Sequence, residues 1–113
     1  MSEPTELESS QFDAMVNAHD LVIFDFWATW CTPCQMQSAI FHKSNKLQST
    51  YPNIKIFKLN VDITETSLLK RFDINAIPIL ILGYQHNTYP MPAGIRTINE
   101  ILNFIKRVKE SKQ

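Results

Sequence analysis

The chain has 113 residues, 44% of them apolar, and no long polar tract. At that length folding buries about two-thirds of the surface an unfolded chain exposes, so one compact domain is expected, with no need of a disulfide framework or a structural metal. Eleven Lys and Arg balance eleven Asp and Glu, which excludes the basic footprint of an autonomous nucleic-acid binder, and no apolar run reaches the ~18 residues of a membrane span.

The balance is unevenly laid out. Residues 1–42 carry six acids and no Lys or Arg, whereas residues 43–113 carry all eleven bases against five acids, so the two parts stand at −6 and +6. The start of the sequence shows neither the basic opening of a secretory signal nor an Arg-rich transit segment, and the expected compartment is the cytosol. Two cysteines are present, Cys31 and Cys34. In a reducing compartment such a pair means redox chemistry or half of a metal site, not a structural staple.

Residues 1–9 are polar, acidic and contain Pro4, and read as a frayed segment or a short edge strand around residues 5–7; residues 10–113 form the expected domain. Ser9 or Ser10 is placed to cap a helix reaching Ala18, with Phe12, Met15 and Val16 on one face. Leu21–Trp27 is apolar except for Asp25, the pattern of a strand buried on both faces. A helix is predicted from Thr32 to about Ser49, with Pro33 in its first turn and an apolar stripe of Met36, Ile40 and Leu47 beside Ala39.

Residues 54–61 form a second strand, and Thr64 is placed to cap a short helix carrying Leu68, Leu69 and Phe72. A third strand over residues 77–82 is entered through Pro78. A fourth, over residues 88–93, contains Pro90 and Pro92 and so belongs at a sheet edge. Thr97 and Glu100 form a capping box opening the last helix, whose stripe is Ile98, Ile101, Leu102, Ile105 and Val108 and whose last turns carry Lys106, Arg107, Lys109 and Lys112. This order predicts an α/β domain with a mixed sheet and helices on both faces.

The strongest chemical signal is Trp30-Cys31-Thr32-Pro33-Cys34, between a buried strand and a helix. A helix N-terminus aims unpaired N–H groups at the Cys31 sulfur and favours its thiolate. One turn later Cys34 returns beside it, able to attack a mixed disulfide. The expectation is an exposed nucleophile at Cys31 and a shielded resolving thiol at Cys34. A shared metal site would need further ligands, and His19, His42 and His86 stand at no metal spacing. A Cys-His hydrolase would need a histidine in a defined place.

Asp25 is a lone carboxylate in an apolar strand, and Lys58 lies within the next one. If the strands are neighbours the two meet beneath the dithiol, where burial raises the Asp25 pKa and Lys58 lowers it, so that Asp25 titrates near neutrality and exchanges protons with the sulfurs. The plainer readings are a solvated position for Asp25 and a Lys58 stem that carries its ammonium to water. Trp27 reads as core and Trp30 as a contact surface for substrate; Met36 and Met91 read as packing and the histidines as surface.

Taken together, Asp25-Phe26-Trp27-Ala28, Trp30-Cys31, Pro33-Cys34, Lys58-Leu59-Asn60-Val61-Asp62, Ile77-Pro78 and Gly94 resemble the thioredoxin family over roughly residues 12–108. The resemblance implies a thioredoxin fold: a central mixed β-sheet of four to five strands flanked by four α-helices. It implies reversible dithiol–disulfide exchange, with Cys31 and Cys34 as nucleophile and resolving thiol forming the redox-active disulfide, Asp25 as buried acid–base residue and Lys58 as its neighbour. Pro78 matches the family's cis-proline, and Trp30, Thr32, Pro33, Ile77, Pro78 and Gly94 would border the client groove. No bound cofactor or metal is implied; reducing equivalents would come from NADPH through a thioredoxin reductase. The implied partners are that reductase and disulfide-bearing proteins, served by a monomer.

The sequence departs from the family pattern at several places. Thr32 replaces the usual glycine, and Gln35 a basic residue. Ala39 stands where a helix-kinking proline is common, which predicts a straighter helix. Ile79 replaces threonine, and the 83–87 hairpin lacks a central Asn-Gly or Asp-Gly turn. A thiol oxidant or isomerase, and a redox-independent binding module, are the alternative functions on the same fold.

Overall fold

A computed structural model describes residues 4–111. The outermost part of the expected frayed segment, residues 1–3, and Lys112 lie outside the described residues. The strands are β1 (Thr5–Glu6), β2 (Leu21–Trp27), β3 (Lys55–Asn60), β4 (Ile79–Tyr84) and β5 (Asn87–Pro90). The helices are α1 (Phe12–Ala18, after a 3-10 turn at Ser9–Gln11), α2 (Thr32–Lys43), α3 (Lys46–Thr50), α4 (Thr66–Arg71) and α5 (Ile98–Ser111). The sheet order is β1-β3-β2-β4-β5, with β3 parallel to both β1 and β2 and with β4 antiparallel to both β2 and β5. Both termini of the sheet fall where the sequence put them, with the two-residue β1 on one edge and the proline-bearing β5 on the other.

The strand period of two divides the core. Leu21 and Ile23 of β2 face one cluster with Phe41, Leu47, Ile101, Ile105 and Val108 of α2, α3 and α5. Val22, Phe24 and Phe26 face the other, with Phe12 and Val16 of α1 and Leu68 of α4. Within it the Phe12 and Phe24 rings lie 4.2 Å apart. A side chain of this size removed wholly from water contributes about 1.5–3 kcal/mol. The same alternation sends Asp25, two residues after Ile23, to the side on which α2 packs.

Four local expectations are corrected. The helix foreseen from Thr32 to Ser49 is two helices, interrupted where Ser44 turns extended and its hydroxyl accepts from the Lys46 N–H at 3.2 Å, a local bond that competes with the helical one. The buried face of α2 is Cys34, Gln37 and Phe41, not Met36 and Ile40; Met36 is 54% exposed. Neither Ser9 nor Ser10 caps α1, because the 3-10 turn intervenes and the Ser9 hydroxyl accepts from the Glu65 N–H instead. Thr64 likewise donates to the Asn60 carbonyl rather than capping α4.

The capping box of α5 forms as written in the sequence. Glu100 N–H donates to Thr97 Oγ1 at 3.1 Å, and Thr97 N–H to Glu100 Oε1 at 2.9 Å. The β4–β5 hairpin closes through Gln85 and His86, both at positive φ (49° and 69°), the conformation that Asn-Gly adopts more readily. Among the described residues no helix is long and apolar enough to cross a membrane.

Candidate functional site

The dithiol sits where β2 gives way to α2. Cys31 is the N-cap of that helix, and its sulfur accepts from the Cys34 N–H at 3.2 Å, satisfying one of the donors a helix start leaves open. Pro33 lies in the first turn, where its missing N–H removes no helical bond. Cys31 and Cys34 are joined as a disulfide. The expected contrast in exposure is absent in this form: Cys31 is 5% exposed and Cys34 3%. Cys31 is covered because the segment entering β4 crosses it. Its Sγ lies 3.9 Å from the Ile77 carbonyl oxygen, and Trp27, Val61 and Ile77 pack around the pair. Thr32 and Pro33 are exposed beside it.

Asp25 and Lys58 are register partners on β2 and β3. Asp25 is buried, and with Trp27, Cys34, Gln35, Ser38 and Lys58 it lines a cavity of about 180 Å³. The carboxyl therefore opens into the same small space as Cys34. Burial pushes its pKa up to about 7, against a lowering by Lys58 and a further raising by Glu6. Its Oδ1 is buried without a hydrogen-bond partner, and the Trp27 indole N–H in the same wall shares that condition. The Lys58 ammonium lies over the Trp27 ring, 4.7 Å from its centroid. It acts on Asp25 through space from there.

A groove borders the disulfide. Trp30, Val61, Leu69, Ile74, Asn75, Ala76 and Ile77 enclose about 450 Å³. Trp30 is 67% exposed, and its orientation is fixed by the indole N–H donating to Asp62 Oδ2 at 2.9 Å. The Ile77–Pro78 peptide is cis, and the Pro78 carbonyl accepts from the Gly94 N–H at 2.8 Å. Gly94 has φ +109°, a conformation that L side chains rarely adopt. Several residues singled out from sequence are thus brought together: Ile77 packs beside Cys31, Trp30 and Ile77 line one groove, and Gly94 is bonded to Pro78.

Sequence reasoning missed Gln37. It is fully buried on α2, its Nε2 donates to the Arg96 carbonyl at 3.0 Å, and its Oε1 accepts from the Arg96 N–H at 2.7 Å. Counting the helix period from Cys34 rather than from Met36 would have found it, since Cys34, Gln37 and Phe41 share a face. Asp62, the partner of Trp30, was visible only as part of a motif. Among the described residues no three His, Cys, Asp or Glu side chains converge as a metal site.

Comparison with known proteins agrees with this geometry. The family model described as Thioredoxin matches residues 3–107. A thioredoxin of Chlamydia pneumoniae is 30% identical over 101 residues, covering 89% of this chain and 94% of that protein. A thioredoxin of Haemophilus influenzae is 28% identical over 109 residues, covering 95% and 98%. The oxidised mitochondrial thioredoxin 3 of Saccharomyces cerevisiae superposes with a TM-score of 0.72 at 26% identity, covering 95% of this chain and 94% of its own. For the chloroplastic thioredoxin z the TM-score is 0.78 over 97% of each chain at 18% identity, a likeness of fold.

Proposed function

The chain belongs to the thioredoxin family and is a thiol–disulfide oxidoreductase, and from that premise we propose that it reduces disulfides in client proteins, Cys31 attacking and Cys34 resolving. The observation that carries this reading is the disulfide across the first turn of α2, beside a cavity shared by Cys34 and Asp25.

In the reduced protein the Cys31 thiolate attacks one sulfur of a client disulfide. The other client sulfur departs as a thiolate and takes a proton, leaving a mixed disulfide with Cys31. Cys34 then gives its proton to the Asp25 carboxylate and attacks the Cys31 sulfur. The Cys31–Cys34 disulfide forms, and the second client thiolate is released. Two electrons have passed from the dithiol to the client. With no Lys or Arg in residues 1–42, stabilisation of the Cys31 thiolate rests chiefly on the start of α2, whose Cys34 N–H already points at that sulfur. Asp25 suits the proton transfer because a pKa near the working pH lets it take and return a proton readily. The cavity between them has room for water to relay the proton.

The client's chain crosses the disulfide with Trp30, Thr32 and Pro33 on one side and Ile77, Pro78 and Gly94 on the other, extending the groove that Trp30 and Ile77 line. Lys58 tunes Asp25. No bound cofactor takes part; NADPH, through a thioredoxin reductase, returns the two electrons, and the protein works as a monomer in the cytosol, where that reductant is supplied. The test is insulin reduction coupled to NADPH and a thioredoxin reductase. Cys31→Ser should abolish it, and Cys34→Ser should accumulate adducts to clients, separable by non-reducing electrophoresis. Absence of adducts, or a dithiol that equilibrates with glutathione as a strong oxidant, would contradict the reductase reading.

A further inference from the structure

The segment from Met91 to Thr97 joins β5 to α5 and carries Gly94. Ahead of the capping box at Thr97, its main chain is tied down at three places. Met91 N–H donates to the Leu80 carbonyl and Gly94 N–H to the Pro78 carbonyl, both toward the strand that follows the cis peptide. The third tie has no strand to use. The Arg96 N–H and carbonyl are both taken by one side chain, the Gln37 amide, at 2.7 and 3.0 Å. Gln37 supplies the donor and acceptor that a neighbouring strand residue would, from within the helix that bears Cys31 and Cys34.

We propose that Gln37 is a positioning residue for client binding: its buried amide fixes the Gly94 segment against the dithiol helix and so sets the width of the groove. A polar side chain at full burial needs its hydrogen bonds made, and here the donor and the acceptor that Gln37 contributes are both matched by the same residue. The tie completes a mechanical circuit. Cys31 Sγ lies against the Ile77 carbonyl, Pro78 accepts from Gly94, and two residues on Arg96 returns to α2 through Gln37, three residues from Cys34. Cutting the circuit at Gln37 leaves the Gly94 wall held by the Gly94–Pro78 and Met91–Leu80 bonds on one side and by the Thr97 capping box on the other. A client lying along the groove meets that wall. A small disulfide that reaches only the Cys31 sulfur does not depend on it.

This inference rests on the groove assigned above, and the test separates the two. Gln37→Met keeps the volume and removes both bonds, while Gln37→Glu retains an oxygen that accepts from the Arg96 N–H. Amide exchange in the oxidised protein, followed by NMR, reads the tie without any redox step. In Gln37→Met the Gly94 and Arg96 amides should exchange about ten-fold faster, and that of Ile101 in α5 should keep its wild-type protection. In Gln37→Glu the Arg96 amide should regain part of its protection. Pre-reduced proteins are then mixed with insulin and, separately, with 5,5′-dithiobis(2-nitrobenzoate). The second-order rate constant for insulin should fall at least about three-fold more than that for the small disulfide, and Gln37→Glu should lie between wild type and Gln37→Met. Where Gln37→Met does not fold, Gln37→Glu carries the same two readouts. Wild-type protection at Gly94, or equal losses on both disulfides, overturns the proposal. A wild-type protein that fails to reduce insulin overturns the functional reading instead, with the exchange result still deciding whether Gln37 holds the loop.

Discussion

Asp25 and Lys58 stand opposite each other in the β2–β3 register, yet the Lys58 ammonium settles over the Trp27 ring and leaves Asp25 Oδ1 buried without a hydrogen bond. The consequence is a carboxyl that keeps its proton up to about pH 7 in the folded protein, whereas the ordinary value is 3.8. Because the folded-state pKa is raised, the contribution to stability is whole below the unfolded pKa, is lost as pH climbs from about 4 to about 7, and then stays level. A shift of that size corresponds to at most roughly 4 kcal/mol. Asp25→Ala should therefore stabilise the oxidised protein by about 2 kcal/mol at pH 8 after the loss of packing is deducted, and not at all at pH 4. Urea unfolding at the two pH values checks this; a pH-independent effect would sink it.

The charged row extends one strand further, since Glu6 on β1 is the register partner of Lys58 on β3. Lys58 lowers the Asp25 pKa and Glu6 raises it. Lys58→Met should then move the Asp25 titration to higher pH and Glu6→Gln to lower pH, as followed by the 13C shift of the Asp25 carboxyl. The two variants moving it in the same direction would show that the row does not act through charge.

Much of this site was legible because its signals are local. A helix-start cysteine pair, a carboxylate interrupting an apolar strand and Ile77-Pro78 before another strand each announce themselves within a few residues. The α2 face was misread because apolarity was used to find it. Gln37 is polar and fully buried, and Met36 is apolar and exposed, so the rule inverts where a side chain serves as a main-chain partner. The break at Ser44 turns on a hydroxyl choosing Lys46 N–H over solvent, and propensity at one residue does not decide that. Cys31 loses its exposure to a segment from 46 residues away, a contact that no sequence pattern encodes.

The α5 capping box is a place where sequence and structure agree, and it has a measurable worth. Thr97 Oγ1 and Glu100 Oε1 satisfy each other's N–H reciprocally. Thr97→Ala should cost about 1 kcal/mol in chemical denaturation. Ser10→Ala, at the serine that was expected to cap α1 but takes no part in a cap, should stay within about 0.5 kcal/mol of wild type. Equal losses at the two sites would mean that the reciprocal bonds contribute nothing beyond local propensity.

The two glycines are required for different reasons, and their alanine variants should fail differently. At Gly83 a Cβ would lie 2.6 Å from Val22 Cγ1, in the middle of the sheet, so the obstacle is space. At Gly94 the nearest atom to a Cβ is an Arg96 guanidinium nitrogen at 3.4 Å, and the obstacle is the backbone itself at φ +109°. Gly83→Ala should lose about 1–3 kcal/mol as β2 and β4 part to admit the methyl. The protein that remains folded should reduce insulin at the wild-type rate, since Gly83 faces no part of the groove. Gly94→Ala should lose about 1–2 kcal/mol through strain in the left-handed region, and its insulin rate constant should fall by more than that for 5,5′-dithiobis(2-nitrobenzoate), because relief of the strain shifts the N–H that holds Pro78. Urea midpoints paired with the two rate constants separate these outcomes. A Gly94→Ala protein that is destabilised but reduces insulin at full rate would show that the Gly94–Pro78 bond supports the fold without shaping the groove.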